Sequence, residues 1–501
     1  MKKSLLLLLL FSFFASCDLE TQGYTFHLGQ GIMIGEVSEK SAILQARLTT
    51  SPNLIEGDMP GLAGTGIFEV SPAEDFSSPT FTHNVLALEE NDYIMKFQLN
   101  DLEPDTRYYY RLLYGTIGKL YLTSKAGSFK TLAGPKKSSE RSFVVVTGMN
   151  YYHFHYGKYN SAKAYKGDDK EKGYPALEAI KKLGPDYFIG TGDNVYFDHP
   201  NKKDFKRAEE RGANPHPATY GGQEVEDEAG MRKKYHEQFS QERYKELFRQ
   251  VGTYWEKDDH DYRFNDADPV RDFPISHELG IKNFREQLPV VDPKDSQAKT
   301  YRSHRMNKEL EVWLLEGRDY RSNNLEEDSE TKSIWGKEQK DWLKSSLKES
   351  DATFKVIISP TPMVGPDDAH KKDNHTNPEG FRQEGDAFFK WLNEEEFPHT
   401  NLFFVCGDRH WQYHAKHPSG FEEFACGALV DNNSRAGYAA GDPKSTDPDG
   451  LIEQFYVQDD AEEASGGFLH VASESKEGTS KLIFSFYDEQ GELLYQSIKE
   501  S

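Results

Sequence analysis

Alternating apolar and polar residues dominate the first quarter of the chain. Between residues 42 and 48, Ala and Leu side chains alternate with Ile, Gln and Arg, as in a strand with one buried face. The ranges 93–99 and 107–114 repeat the pattern on either side of the turn Leu-Glu-Pro-Asp-Thr. Because the strands are short and no helical period interrupts them, the pattern predicts a small β-sandwich over residues 31–132.

Beyond a short linker at 133–141, apolar runs alternate with helical periods. A helix is predicted at 175–183, with proline near its start and Gly184 at its end. The alternation is typical of βαβ units and predicts an α/β domain over residues 142–501. The polar stretch 200–240 is broken by Pro and Gly and is predicted to form an insertion or rim. Strands are predicted at 142–147, 187–189, 309–315, 354–359 and 402–406, further helices around 244–251, 342–347 and 388–392, and a closing hairpin at 482–495.

The N-terminal sequence MKKSLLLLLLFSFFASC is typical of an export signal rather than a membrane span. It has a short basic start, a brief apolar run and small residues before Cys17. Its ending, Phe-Ala-Ser-Cys, resembles the lipobox of bacterial lipoproteins, which implies that residues 1–16 are removed and that Cys17 carries a lipid. Residues 17–30 would then tether an exported protein in the cell envelope, in the outer membrane or periplasm, with the lipid as its membrane contact. The alternative is an ordinary signal peptide with an incidental cysteine.

Only Cys406 and Cys426 remain once Cys17 is set aside. In an exported protein they could form one disulfide, but both lie near predicted strands, where buried free thiols are equally compatible with the pattern. The sequence leaves both alternatives open.

A formal net charge of −23 limits the partners of this chain. Such an acidic protein repels a phosphate backbone, so we expect no nucleic acid as a stable partner. An acidic protein that handles phosphate esters would need metal ions to attract them.

Three separate segments place carboxylate and imidazole side chains where predicted strands or helices end. Oxygen and imidazole donors suit Fe, Mn, Zn or Ca, and two such cations could clamp a phosphoryl group and activate water. The alternatives are a helix cap, a solvated acidic turn and a core histidine, respectively. The segments are Asp193 with Tyr196, the run Asp258-Asp259-His260-Asp261, and Asp408 with His410.

The order of these motifs, GDNVY, then W..DDHD, then GDRH, resembles the calcineurin-like metallophosphoesterases and specifically the PhoD-like alkaline phosphatases. The resemblance covers roughly residues 30–430, and the order of its motifs is fairly specific. It implies an αββα metallophosphoesterase sandwich preceded by a small fibronectin-III-like β-sandwich.

The resemblance also implies ligands for one or two divalent or trivalent metal ions, with Fe, Ca, Mn and Zn as candidates. Asp193 would bridge the two metals. Tyr196 and His410 would bind the first, ferric-type metal, and Asp259 and Asp408 the second.

Catalytic roles are implied for two further side chains. His260 would contact the substrate phosphate or protonate the leaving group. Arg318, with Arg321 nearby in Glu-Gly-Arg-Asp-Tyr-Arg, resembles arginines that the family carries at that place. A guanidinium suits bidentate contact with phosphate or sulfate, and the alternative is a surface arginine.

The loop 364–381 follows a predicted strand and is predicted to face the same rim as Asp193. We expect it to bind substrate through Lys371, Asn374 and His375, with Lys372 as an alternative cation and Asp373 or His375 completing the metal shell. The competing interpretation is a flexible polar loop.

The chain departs from the family at the end of the strand 142–147. Where metallophosphoesterases carry Asp-x-His and PhoD-like proteins a metal-binding Cys, it has Gly148. The first metal then has fewer protein ligands, or Asn150, His153 or His155 substitutes, or the enzyme works with one ion. The segment Ile-Ile-Ser-Pro-Thr-Pro also lacks a histidine that many relatives supply to the second metal.

Taken together, the sequence predicts an exported metal-dependent phosphoesterase that uses activated water. Its substrate would be a small-molecule or oligomeric phosphate ester, either a monoester or a diester. One alternative keeps the site and changes the substrate to a sulfate ester or phosphonate. The other is a non-catalytic surface binding lipoprotein whose phosphatase fold has decayed. The oligomeric state stays open.

Overall fold

The computed structural model describes residues 25–157, 164–201, 206, 224–460, 464–476 and 478–501. The predicted signal 1–16 and Cys17 lie outside the described residues, as does most of the predicted tether. Where that tether is described, Phe26 is buried and the backbone of His27 pairs with Thr49, so residues 25–30 belong to the fold. No helix in these described ranges is long and apolar enough to cross a membrane.

The strands follow the predicted apolar runs closely. The predicted strands at 354–359 and 402–406 form as β15 and β16. In chain order the strands are β1 Ile32–Gly35, β2 Ala42–Arg47, β3 Gly64–Ser71, β4 Thr80–Phe81, β5 Val85–Ala87, β6 Ile94–Leu99, β7 Arg107–Thr116, β8 Lys119–Thr123, β9 Gly127–Lys130, β10 Arg141–Val146, β11 Tyr187–Thr191, β12 Gly252–Glu256, β13 Arg302–Arg305, β14 Leu310–Leu314, β15 Phe354–Ser359, β16 Leu402–Cys406, β17 Gln412–Lys416, β18 Glu422–Cys426, β19 Glu453–Val457, β20 Gly467–Lys476, β21 Thr479–Asp488 and β22 Leu493–Glu500.

The helices lie between the strands of the second part of the chain. The predicted helix 175–183 forms with Pro175 at its first position and Gly184 in a left-handed conformation at its end. The helices are α1 Tyr151–Tyr156, α2 Pro175–Leu183, α3 Glu228–Phe239, α4 Glu242–Phe248, α5 His277–Gln287, α6 Gly336–Glu349 and α7 Arg382–Glu394.

Two sheets form the centre of the α/β part. In the described chain, the main sheet has the strand order β22-β21-β20-β10-β11-β12-β1-β2-β6, and β10, β11, β12 and β1 run parallel. The second sheet has the order β13-β14-β15-β16-β18-β17-β19, and β14, β15, β16 and β18 run parallel. Parallel strands need cover on both faces, which explains their continuous apolar sequences.

The layers follow the order helix, sheet, sheet, helix. Val145 and Ile189 of the main sheet share a core with Val356 and Val405 of the second sheet. Neighbouring residues on the same strands point outward, where Phe188 packs in one core with α2 to α5 and Phe404 in another with α6 and α7. The predicted αββα fold is therefore confirmed, together with the β-sandwich that precedes it.

The N-terminal sandwich is joined to the α/β part by a shared sheet. Its outer sheet contains β4, β3, β7 and β8, with β5 and β9 paired to β3 and β7. Its other strands, β1, β2 and β6, extend the main sheet, because β1 pairs in parallel with β12 at Gly35 and Thr253. The alternating pattern of the sequence predicted the sandwich but not this continuity.

The prediction that residues 200–240 form an insertion or rim is wrong for the last third of this stretch. The described residues 228–239 form α3, and Met231, Tyr235 and Phe239 on one face of α3 are buried in the core. Their spacing of four residues is a helical period that the many charged neighbours obscured. In the described part of the chain, Cys406 and Cys426 are buried free thiols, which settles the alternative left open above.

A buried ionic network around Asp92 connects strand β2 with helices α3 and α5. Arg47 on β2 bonds the Asp92 carboxylate at 2.8 Å, and His236 on α3 contacts the other Asp92 oxygen at 2.7 Å. The same oxygen accepts a hydrogen bond of 2.9 Å from Gln287 on α5. Burial alone would raise the pKa of Asp92, but His236 and Arg47 hold it well below its usual value.

Replacing Asp92 tests this connection. We expect Asp92→Asn to lower the free energy of unfolding by about 3 kcal/mol, because it leaves Arg47 buried without its counter-charge. Urea unfolding at neutral pH measures the difference. Since the folded-state pKa of Asp92 is depressed, its stabilisation is present at neutral pH and is lost as the pH falls through that value.

The gap between wild type and variant should therefore narrow between about pH 5 and about pH 2. Asp449→Asn, at an exposed turn, is the matched control and should change little. Equal effects of the two substitutions would contradict a structural role for the network.

Candidate metal centre

Each sheet contributes one Gly-Asp turn to the same region. β11 of the main sheet is followed by Gly192 and Asp193, and β16 of the second sheet by Gly407 and Asp408. Both aspartates have left-handed backbone conformations, with φ of 54° and 55°. Both turns lie at the carboxyl ends of parallel strands, where α/β proteins place their sites.

Glycine is required in both turns by close backbone approach. A Cβ at Gly192, which has a φ of 80°, would lie 2.7 Å from the backbone nitrogen of Asp258. A Cβ at Gly407 would collide with the carbonyl oxygen of Thr191 and lie 3.0 Å from that of Pro360. The glycines thus allow the ligand-bearing loops to touch.

Asp193, Tyr196 and His410 form a contact group. Tyr196 donates a hydrogen bond of 2.7 Å to Asp193 Oδ2, and His410 Nε2 lies 3.0 Å from the same oxygen. The other oxygen, Asp193 Oδ1, is buried and has no hydrogen-bond partner among the described residues. Burial raises the pKa of Asp193 to about 7, against the opposing charge of His260.

Asp259 and His260 join this group from the segment after β12. One donor atom each of Asp193, Asp259 and His260 lies within 4.8 Å of the others. Although burial favours the neutral ring, the charges of Asp198, Asp259 and Asp193 hold the pKa of His260 well above its usual value.

Asp198 is a residue of the candidate site that the sequence analysis missed. Its Oδ1 lies 2.6 Å from His260 Nδ1 and fixes the ring, while Oδ2 accepts a hydrogen bond of 3.0 Å from the backbone of Asn265. Asp198 stands two residues after Tyr196 in the same turn, and that proximity was the available signal.

Asp261 ties the two ligand segments together. Its carboxylate accepts hydrogen bonds from the backbone nitrogens of Asp193 and Asn194, both at 3.3 Å, and of Asp258 at 2.7 Å. Burial raises the pKa of Asp261 to about 7, and the charge of Asp193 adds to the shift. The last aspartate of the DDHD run is therefore a positioning residue.

Asp408 lies beside the group without joining its closest donors. Its negative charge raises the pKa of both Asp193 and Asp258, whose burial is the larger cause. Its carboxylate forms an ion pair with Arg409, which also pairs with Asp367. Arg409, within the GDRH motif, thus holds the second Gly-Asp turn in place.

The prediction that Arg318 contacts substrate needs correction. Arg318 is fully buried, its Nε donates to Asp258 Oδ1 at 2.7 Å, and its Nη1 donates to the carbonyl oxygen of Ala267 at 2.9 Å. Arg321 is likewise buried and bonds the Gly317 carbonyl oxygen at 2.7 Å. Both guanidinium groups orient loops behind the site.

The loop 364–381 divides between the site and the core. Lys371 reaches the site, where its ammonium pairs with Asp266. Burial opposes protonation, but the charges of Asp266, Asp373 and Asp408 hold the pKa of Lys371 above its ordinary value.

Asn374 and His375 do not reach the site, which corrects their predicted substrate role. Asn374 is fully buried and donates to Asp367 Oδ2 at 2.5 Å. His375 Nε2 lies 3.0 Å from Glu384 Oε2, and its ring packs 4.7 Å from that of Trp335. Both side chains therefore stabilise the loop through contacts with buried residues.

Asn433 contacts Gly148, the position at which the resemblance implied a first metal ligand. A Cβ at Gly148 would lie 2.7 Å from Ala428 Cβ, so a larger side chain has no room there. Asn433 Nδ2 donates to the Tyr196 hydroxyl at 2.7 Å and to the Gly148 carbonyl oxygen at 3.2 Å, and its Oδ1 meets His153 Nδ1 at 2.9 Å.

The two other substitutes considered for this ligand have different contacts. Asn150 caps α1 by accepting a hydrogen bond of 2.9 Å from the backbone of His153. His155 packs against Tyr151, with ring centroids 4.2 Å apart, and burial lowers its pKa to about 3.

The residues present fit a metal ion. Carboxylate, phenol and imidazole donors converge from loops of both sheets, and a buried carboxylate oxygen of Asp193 has no hydrogen-bond partner among the described residues. Buried carboxylates crowded in this way need a cation, and this mixture of donors suits Fe, Mn or Zn.

The approach of the two loops can be tested at Gly192. We expect Gly192→Ala to push the Asp258 segment away and to reduce bound metal, measured by mass spectrometry of the purified protein. Gly184→Ala is the matched control, because Gly184 also has a positive φ but a Cβ there meets nothing within 4 Å. That control should lower the free energy of unfolding by about 1 kcal/mol and keep its metal. Equal metal content in both variants would contradict the proposed contact.

Comparison with known proteins agrees with this fold. The family model for PhoD-like phosphatases matches residues 143–462, and the model for their N-terminal domain matches residues 15–133. Alkaline phosphatase D of Bacillus subtilis (strain 168) is 24% identical over 358 residues, which are 67% of this chain and 55% of that protein. The chain thus spans about half the length of this curated relative.

Two solved structures share the fold. A structure of PhoD has a TM-score of 0.68 and 18% identity, over 94% of this chain and 88% of that one. A purple acid phosphatase from yellow lupin (Lupinus luteus) seeds has a TM-score of 0.58 and 11% identity, over 93% and 73%. The family model covers well over half of the residues, and the resemblance seen in the motifs is confirmed: the chain belongs to the PhoD-like phosphatase family.

Proposed function

We propose that this protein is an exported, metal-dependent phosphoesterase that hydrolyses phosphate esters at the centre described above. The observation that carries the proposal is the convergence of donor atoms from Asp193, Asp259 and His260 within 4.8 Å of one another. Tyr196 and His410 contact Asp193 directly, so the same pocket collects donors from both sheets. Membership of the PhoD-like phosphatase family supports the assignment.

Asp193, Tyr196, Asp259, Asp408 and His410 are the side chains that would hold metal. One or two ions of Fe, Mn, Zn or Ca held there would supply Lewis-acid polarisation of phosphoryl oxygens, a lowered pKa for a water molecule and positive charge to attract a phosphate ester to this acidic chain.

We assign the role of general acid to His260. Asp198 holds its Nδ1, which leaves Nε2 to meet the ester oxygen of the substrate. As the oxygen of water bonds to phosphorus, the phosphorus–oxygen bond of the ester breaks, the departing oxygen takes the Nε2 proton, and the attacking water releases one proton to solvent. Asp198 orients the ring and stabilises its charged form.

The rival view of a decayed binding protein rested on the missing ligand at Gly148. Asn433 fills that region and connects Tyr196 to the backbone of Gly148, so the pocket is packed rather than eroded. This supports the enzymatic proposal. A sulfate ester or phosphonate substrate is separated from a phosphate ester by the experiment below.

Activity assays of the purified chain test the proposal. We expect turnover of p-nitrophenyl phosphate or bis-p-nitrophenyl phosphate that is lost on treatment with a chelator and restored by metal. Asp193→Asn should reduce activity at least about 100-fold, because it removes a group that organises charge around the reacting phosphate. Asp449→Asn, exposed and remote, is the control.

The outcomes separate the candidate functions. Turnover of p-nitrophenyl sulfate alone would favour the sulfate-ester alternative, and bound metal without turnover of any ester would favour the binding protein. A metal-free protein whose Asp193→Asn variant behaves like wild type would overturn the proposal.

We also propose that the protein is exported to the cell envelope and anchored by a lipid on Cys17. The basic and apolar start of the sequence and its Phe-Ala-Ser-Cys ending support this location. We expect Cys17→Ser to abolish incorporation of labelled palmitate and to shift the protein from the membrane to the soluble fraction. Cys406→Ser, at a buried thiol, is the control. Undiminished labelling of the Cys17 variant would contradict the anchor.

A further inference from the structure

Asp259 belongs to two adjacent groups of side chains that could bind a metal ion. On one side it meets Asp193 and His260, and on the other Asp266 and Asp373, again with donor atoms within 4.8 Å of one another. Asp259 Oδ2 accepts a hydrogen bond of 2.6 Å from the backbone of Asp266, which fixes the second group to the first. The centre therefore has two neighbouring positions for positive charge.

The second position already contains a cation from the chain itself. The Lys371 ammonium pairs with Asp266, and its side chain is only 13% exposed. Neither carboxylate oxygen of Asp373 has a hydrogen-bond partner among the described residues, and Arg318 approaches Asp373 at 3.6 Å. Against the effect of burial, the negative charges of Asp266 and Asp373 both hold the pKa of Lys371 above its ordinary value.

The backbone that carries Lys371 is fixed rather than free to withdraw. The backbone nitrogen of Lys371 donates a hydrogen bond of 3.0 Å to the Asp368 carbonyl oxygen. The Asn377 side chain donates to the backbone carbonyl oxygens of Lys371 and Ala369. Asp368 is held in turn by Arg435 at 2.6 Å. The ammonium is thus built into the site by its loop.

We propose that Lys371 fills the second cation position, so that the centre takes a single metal ion per chain, on the Asp193 side. This inference rests on the proposed metal centre. A divalent ion between Asp259, Asp266 and Asp373 would face the ammonium at close range in a buried setting, where repulsion between like charges is strong. The Lys371 ammonium and a metal ion therefore exclude each other from this position. The ammonium is always present, because Lys371 is part of the chain.

Metal counting tests the proposal without an activity assay. Metal-depleted wild-type protein, titrated with Mn2+, should bind one ion per chain and give the electron paramagnetic resonance signal of isolated Mn2+. Lys371→Met should bind a second ion, and the two ions should show magnetic coupling. Lys372→Met is the matched control, because Lys372 is 43% exposed and pairs with Glu379, so it should retain one ion.

Two coupled Mn2+ ions on the wild type would overturn the inference, as would a folded Lys371→Met variant that binds one ion. If that variant does not fold, the wild-type count and spectrum still decide. A wild-type chain that binds no Mn2+, Fe or Zn would instead overturn the proposed metal centre itself.

Discussion

The approach of two strand ends, one from each sheet, is the constraint on which the centre depends. The Gly-Asp turns after β11 and β16 carry no side chain at the point of contact, where Gly192 meets Asp258 and Gly407 meets Thr191. Any Cβ there would separate the loops. The aspartates that follow have left-handed backbone conformations, and the Asp193 carboxylate contacts Tyr196 and His410.

That geometry brings many negative charges together, and their arrangement is stabilised by fixed cations. Arg318 neutralises Asp258 behind the pocket, and Arg409 does the same for Asp367 and Asp408. These pairs are buried, so each guanidinium needs its carboxylate and each carboxylate its guanidinium. Asp193 retains a buried carboxylate oxygen with no hydrogen-bond partner among the described residues, and this is where an external ion fits.

Much of the fold could be predicted from local pattern. The apolar run 187–189 became the first part of β11, and the proline and glycine at the two ends of α2 marked its limits. α3 was missed because charged residues surround its apolar stripe. The shared main sheet was also missed, since pairing between β1 and β12 depends on contacts that no local pattern records.

The candidate site could be predicted in part, because its motifs stand at strand ends. The sequence brought Asp193, Tyr196, Asp259 and His410 into one hypothesis, and the structure places them together. The sequence could not show which side chains from distant parts of the chain contact each other. His375 looks like a ligand in sequence but pairs with Glu384 inside the core.

The same limit applied to the cations of the site. Arg318 looks like a phosphate-binding residue in sequence, but its guanidinium is bonded to the buried carboxylate of Asp258. Lys371 and Asp266 are 105 residues apart, and nothing local to either reveals that they pair.

The shared main sheet ties the N-terminal region to the α/β part. Without β1, β2 and β6, strand β12 would become a bare sheet edge with unpaired backbone groups and an uncovered apolar face. Such an edge invites pairing between molecules. A gene fragment that begins after residue 133 would therefore encode an aggregation-prone polypeptide.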